Sequence, residues 1–164
     1  MGVRELERGE WTLFRELRLR SLADSPDAFA RRFVDEQAQP DAYWIRLTES
    51  VTTPGGQAML VAEDDGRAVG LTFGLFDKEH PKTGHVGGMW VEPGSRGRGV
   101  GQALLRAAID WARSRGLERL DLWVTEGNGP ATRLYERLGF ADTGRRDALQ
   151  SNPALRIMQM TLNL

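Results

Sequence analysis

Apolar positions along the chain change their spacing several times, and each change predicts an element. Val3 to Leu6 is a short candidate strand. From Glu10 to Ala23, Trp11, Phe14, Leu17, Leu19 and Leu22 recur at helical intervals. Ser25-Pro26-Asp27 reads as a stop and restart, with Ser25 or Asp27 capping a second helix that carries Phe29, Phe33 and Val34 on one side. Gln39-Pro40-Asp41 breaks that helix, Tyr43-Trp44-Ile45-Leu47 forms a third helical segment, and Thr52 to Gly56 is a loop. Sheet signals follow: Gln57 to Glu63, a hairpin turn at Asp64-Asp65-Gly66-Arg67, and Ala68 to Phe76. A polar connection from Asp77 to Gly84 leads into an apolar strand from His85 to Val91. Apolar residues at 100, 104, 107, 108 and 111 then mark one helix face, which Gly116 ends. Leu117 to Val124 is the next strand, and Asn128 opens a helix whose face is Ala131, Leu134, Tyr135 and Leu138. Phe140 to Arg146 and Leu155 to Leu162 read as a final hairpin joined by a loop that holds Asn152-Pro153. With no repeat and no linker, residues 1–164 are expected to form one mixed α/β domain.

The stretch with the most chemistry lies between the strand ending at Val91 and the helix that follows. It reads Glu92-Pro93-Gly94-Ser95-Arg96-Gly97-Arg98-Gly99-Val100-Gly101. A helix start carries unpaired N–H groups and positive partial charge, and glycines let an anion approach them, so strand, loop and helix make a phosphate cradle. A nucleotide-hydrolase P-loop is a poor reading, because Val100 and Gly101 stand where that loop needs Lys and Ser or Thr. A dinucleotide G-x-G-x-x-G begins at Gly97 but meets Gln at 102, although Asp121 stands near the place of a ribose-binding acid.

Composition removes other classes. The net charge is −1, so no global basic field would draw nucleic acid. There is no cysteine, which excludes disulfides, thiolate nucleophiles and zinc–thiolate sites, and two histidines are too few for a histidine metal site. No apolar run is long enough to span a membrane and the first residues are charged rather than signal-like, so a cytoplasmic protein is the default expectation.

Arg96-Gly97-Arg98-Gly99-Val100-Gly101 fits Gln/Arg-x-x-Gly-x-Gly/Ala and resembles the acyl-CoA-binding motif of the GCN5-related N-acetyltransferase (GNAT) family. Val91-Glu92-Pro93 before it and Gln102-Ala103-Leu104-Leu105 after it are similar to that family too, as is Asn128-Gly129-Pro130-Ala131-Thr132-Arg133-Leu134-Tyr135-Glu136-Arg137-Leu138-Gly139-Phe140. The resemblance is sharp from His85 to Phe140 and loose outside. It implies an α+β fold with a mixed, mostly antiparallel central sheet, a splayed strand pair and flanking helices. It also implies acetyl-CoA as co-substrate with no metal, an amine as the other partner, and room for a homodimer.

The same resemblance implies roles. Met89 and Val91 would bind the pantetheine arm through their backbone, and Asn128 would contact it. The N–H groups of Arg98, Gly99, Val100 and Gly101 would grip the pyrophosphate, with Arg96 near it, and Trp90, Gly97, Gln102 and Ala131 would complete the cofactor site. Tyr135 would lie near the CoA sulfur as general acid. Asn128 is also a preferred helix cap, and Tyr135 on an apolar face also suits a core. Gly87-Gly88 fits close approach of a ligand or a plain bulge. His85 falls where some members carry a glutamate base and is the candidate general base, with Glu126 or water as alternatives. Relatives that acetylate peptide N-termini often carry a carboxylate where this chain has Trp123. Phe29, Phe33, Trp44, Phe76 and Trp123 are candidate walls of the acceptor site, while Asp24, Asp27 and Glu36 could attract a cationic amine. The expected activity is acetyl transfer to a primary amine of a small molecule. A protein lysine or N-terminus and a non-catalytic CoA sensor are the alternatives.

Overall fold

The structure, a computed structural model, describes residues 1–164. Its strands are β1 (Gly2–Glu5), β2 (Ala58–Asp64), β3 (Arg67–Phe76), β4 (Thr83–Val91), β5 (Arg119–Thr125), β6 (Ala141–Leu149) and β7 (Asn152–Asn163). Its helices are α1 (Trp11–Asp24), α2 (Phe33–Gln37), α3 (Asp41–Val51), α4 (Val100–Ser114) and α5 (Gly129–Arg137). One seven-stranded sheet runs β1-β2-β3-β4-β5-β7-β6, antiparallel at every step except β4–β5.

The sheet is a filling between two helix layers. In β2, Ala58, Leu60 and Ala62 join one core with α4 (Leu104, Leu105, Ala108, Trp111), while Met59 and Val61 join the other with α1 (Phe14, Leu17, Leu22) and Trp44 of α3. The period-2 alternation of a strand therefore puts apolar residues on both faces, which is why β2 is almost continuously apolar. Gly74 lets α4 come close: a Cβ there would sit 2.5 Å from the Trp111 ring.

Two expectations need correction. The second helix does not form across Phe29. Pro26–Ala28 makes one tight 3₁₀ turn, Phe29 is extended and buried, and helix resumes only at Phe33. Val34, placed on the inner face by the periodicity, is exposed. Neither Ser25 nor Asp27 supplies a capping hydrogen bond there. The final hairpin is tighter than expected: β6 runs on to Leu149 and β7 starts at Asn152, so Pro153 lies in a strand. It is tolerated because the register shifts between Ala148 and Leu149, and β5 pairs only from Ile157 onwards, so no ladder needs its missing N–H.

Candidate functional site

The site begins where two parallel strands part. β4 and β5 pair from Thr83–Arg119 to Val86–Leu122 and no further. Beyond that point β4 stays on β3 and β5 stays on β7. A bulge accompanies the parting: Phe73 pairs Gly87 but Leu71 pairs Trp90, so β4 carries one extra residue, and Gly88 takes φ +58. The extra residue flips the side-chain parity. Val86 faces the α4 core, Trp90 faces the α1 core, and Met89 and Val91 pack on the α4 side. Bulge and splay thus begin at the same place on β4, at Gly87-Gly88.

The cradle lies at the far end of β4. Gly97 and Gly99 are left-handed, at φ +75 and +85, and Gly99 is the N-cap residue of the 15-residue helix α4. No side chain caps that end, and none of the N–H groups from Gly97 to Gln102 meets an acceptor within the protein. Gly101 packs against Leu134 of α5 and Val91 of β4, where a Cβ would lie 3.2 Å from the Leu134 side chain. A row of unpaired donors at the positive end of a helix is the arrangement that suits an anion. The arginines, by contrast, are tied to acids. Arg96 donates from Nε to the Val91 carbonyl at 2.9 Å and pairs with Asp24, and Arg98 pairs with Asp64 at 3.0 Å. They anchor the loop at both sides; the free donors are backbone.

A cavity of about 430 Å³ fills the splay. Arg18, Phe29, His85, Met89, Trp123 and Tyr135 are among its walls, and it reaches the cradle through Gly101. Tyr135 is buried and its hydroxyl has one weak partner, the Met89 sulfur at 3.8 Å. Burial pushes the phenol up to about 12. Asn128 caps α5 by accepting from the Ala131 N–H at 3.4 Å, and its Nδ2 donates to no protein group. His85 lies half-buried with Nε2 2.6 Å from the Asp77 carboxylate, so its Nδ1 has no partner in the protein. Hydrogen bonds from His85 and from the Glu79 and His80 N–H groups hold Asp77 well below the usual carboxylate range.

The family model for the acetyltransferase (GNAT) family matches residues 12–140, most of the chain. The chain belongs to the GNAT family. A mycothiol acetyltransferase from Thermomonospora curvata is 36% identical over 122 residues, 74% of this chain and 37% of that relative. The chain spans well under half the length of such curated relatives. A GNAT-family acetyltransferase from Streptococcus pneumoniae superposes with a TM-score of 0.82 at 24% identity, covering 99% of this chain and 98% of that one. A protein from Salmonella typhimurium solved with its cofactor acetyl-CoA gives 0.80 at 21%, covering 100% and 94%. The mixed sheet with a splayed strand pair, expected from the GNAT resemblance, is the observed fold.

Within this GNAT fold the expected residues divide into groups. His85, Met89, Trp90, Val91, Gly101, Asn128, Ala131 and Tyr135 all line the one cavity, Trp90 by its backbone, because its ring is turned to the α1 core and bonds Asp24 at 2.9 Å. Arg96, Gly97, Arg98, Gly99, Val100 and Gln102 form the adjoining loop and helix start. Of the expected walls, Phe29 and Trp123 line the cavity; Trp44 is core against Phe14, and Phe76 stacks on Trp111. Glu126 is paired with Arg146 at 2.6 Å and lies outside it. Asp24 is engaged by Trp90 and Arg96, and Glu36 accepts from Tyr43. Asp121, the ribose-acid candidate, is buried and accepts from Thr161. No group of three His, Cys, Asp or Glu side chains is placed to hold a metal ion, and no helix is long and apolar enough to cross a membrane.

Two site residues are not apparent from the sequence pattern. Asp77 reaches His85 only because the β3–β4 hairpin brings the two ends together, with the Asp77 N–H on the Thr83 carbonyl at 3.0 Å. Arg18 sits four residues after Phe14 and four before Leu22, on the buried stripe of α1. A charged residue at a core-facing position is the one signal that marks it.

Proposed function

We propose that this chain transfers the acetyl group of acetyl-CoA to the primary amine of a small molecule by direct attack. The observation that carries the proposal is the row of unpaired N–H groups from Gly97 to Gln102 opening onto a cavity that holds a buried, protonated phenol. The residues fit acetyl-CoA in three places. The N–H row suits a pyrophosphate. The splayed edge of β4 around Met89 and Val91 can accept an extended arm as a further strand would. Asn128 Nδ2 is free to donate to an amide carbonyl of that arm. The bound co-substrate supplies the activated acetyl group.

The chain's own groups then manage protons. His85, with Nε2 held by Asp77, takes a proton from the attacking amine at Nδ1 as the N–C bond forms. Tyr135 gives its hydroxyl proton to the sulfur as the C–S bond breaks. A free thiol titrates near about 8.5, well below this phenol, but the apolar cavity raises a thiolate as it raises Tyr135, so the transfer becomes less uphill there. Exchange with solvent restores both groups. The mycothiol acetyltransferase relative supports a small-molecule acceptor, and a cavity of about 430 Å³ is in the range of small-molecule sites.

The test is calorimetric titration with acetyl-CoA, followed by thiol release across a panel of amino acids, polyamines, amino sugars and lysine peptides. Tight binding with turnover on a small amine is the expected result. Turnover confined to peptides would overturn the small-molecule reading, and absence of acetyl-CoA binding would overturn the whole.

A further inference from the structure

The cavity is meant, on the reading above, to receive an amine, which is a cation in water. No Asp or Glu side chain lines it. The cation in its wall is instead Arg18, on α1. The Arg18 guanidinium stacks over Phe29 at 4.9 Å and near Phe73 at 5.8 Å, so its faces are covered. Its edge is buried too but unsatisfied: Nη1 has no hydrogen-bond partner. That nitrogen lies against the bulge, 3.1 Å from where a Cβ on Gly88 would be. Glu36, the acid whose charge acts on Arg18, makes no ion pair with it and has its carboxylate taken by the Tyr43 hydroxyl at 2.9 and 3.2 Å. Burial lowers the Arg18 guanidinium to about 10, which still leaves it charged at neutral pH. A buried guanidinium with an unpaired donor is costly unless something anionic completes it.

Resting on the acetyl-transfer reading, we propose that the acceptor carries a carboxylate as well as its amine, and that Arg18 Nη1 binds that carboxylate beside the Gly88 bulge. Arg18 is then a specificity residue, not a proton carrier. Its charge attracts the carboxylate, so the acceptor is drawn in without an acid in the wall for its amine. An amino acid that docks by its carboxylate presents its amine within the splay, whereas a simple amine or an amino sugar leaves Arg18 unpaired.

The test uses matched pairs: the twenty standard amino acids and their carboxamides, assayed with acetyl-CoA. The wild-type protein is expected to prefer acids over their amides by about 10- to 100-fold in kcat/KM, the range of one charge-assisted hydrogen bond. Arg18→Met keeps an unbranched chain between Phe29 and Phe73, and is expected to erase that preference, chiefly by raising KM for the acid. Arg18→Lys restores part of it. A second arm does not need turnover: N-acetyl amino acids and their amides are titrated into the CoA-bound protein, and binding of the acids alone supports the proposal. Equal use of acids and amides by the wild type overturns it, as does an Arg18→Met protein that loses both alike and keeps their ratio. Amides bound as well as acids by a protein that binds acetyl-CoA overturn this proposal alone. Failure to bind acetyl-CoA overturns the acetyl-transfer reading and takes this one with it.

Discussion

Gly99→Asp puts a negative charge into the cradle with little steric disturbance. A Cβ at Gly99 would have nothing within 4 Å, so the protein itself has room for the side chain. The backbone cost is real, because φ is +85 and a non-glycine residue in the left-handed region costs about 1–2 kcal/mol. An acid at a helix N-terminus recovers about 0.3–1 kcal/mol from the helix dipole. The net loss is about 1 kcal/mol, which for a chain of this length lowers Tm by about 2–4 °C. The effect on ligand is larger. One carboxylate about 4 Å from a bound phosphate costs about 1 kcal/mol at the dielectric of water and about 4 kcal/mol at an effective dielectric of 20. Affinity for acetyl-CoA therefore falls by about 5- to 1000-fold. Calorimetric titration beside a thermal melt measures both. Gly99→Asn is the control, with the same shape and the same tolerance of left-handed backbone but no charge. If Gly99→Asp binds acetyl-CoA as the wild type does, the anion site lies elsewhere. If Asn and Asp lose affinity equally, the loss is steric and the electrostatic account of the cradle is wrong.

Four further outcomes are expected. Tyr135→Phe should lower kcat by about 100-fold or more while leaving acetyl-CoA affinity and Tm nearly unchanged, because the hydroxyl's one protein partner is a sulfur at 3.8 Å; steady-state kinetics with titration decides it, and unchanged kcat would remove the general-acid role. The chain has two tyrosines, and burial raises both Tyr43 and Tyr135, Tyr135 to about 12. An ultraviolet phenolate titration of the native protein should therefore show one of the two phenols ionising only near pH 12 and the other above its ordinary value. Since the fold holds the neutral Tyr135 phenol, stability is full below pH 10 and declines as pH rises from about 10 through 12; complete ionisation of both phenols well below pH 12 in the native protein would contradict the burial. Gly74→Ala drives a Cβ against a Trp111 ring pinned by Phe76 at 5.5 Å and by its Nε1 bond to the Gly56 carbonyl at 3.2 Å, so overpacking of about 1–3 kcal/mol is expected. Gly94→Ala, with nothing within 4 Å, should melt as the wild type does.

Local information determined a large part of this protein. The strand spanning His85–Val91, the loop of Gly97 and Gly99, the helix after it and the Asn128 cap depend on periodicity and capping within a few residues, and all are legible in the amino-acid sequence alone. So is the likeness of Arg96–Gly101 and Asn128–Phe140 to one family. Tertiary packing decided the rest, because it joins residues that no local rule connects. Phe29 turns inward to cover Arg18 instead of extending a helix, since a buried ring over a guanidinium outweighs the propensity of a short amphipathic stretch. The meaning of Gly87-Gly88 needed the neighbouring strands: the extra residue counts as a bulge only against Leu71 and Phe73, and the splay exists only because β5 follows β7. Arg96 and Arg98 read as free charges for a phosphate, yet Asp24 and Asp64, far away in sequence, are folded against them. The pairs His85–Asp77 and Arg18–Gly88 are likewise products of the hairpin and of the packing of α1 on the sheet. Backbone conformation is written within a turn or two of chain, whereas the state of a charge depends on what the whole fold brings beside it.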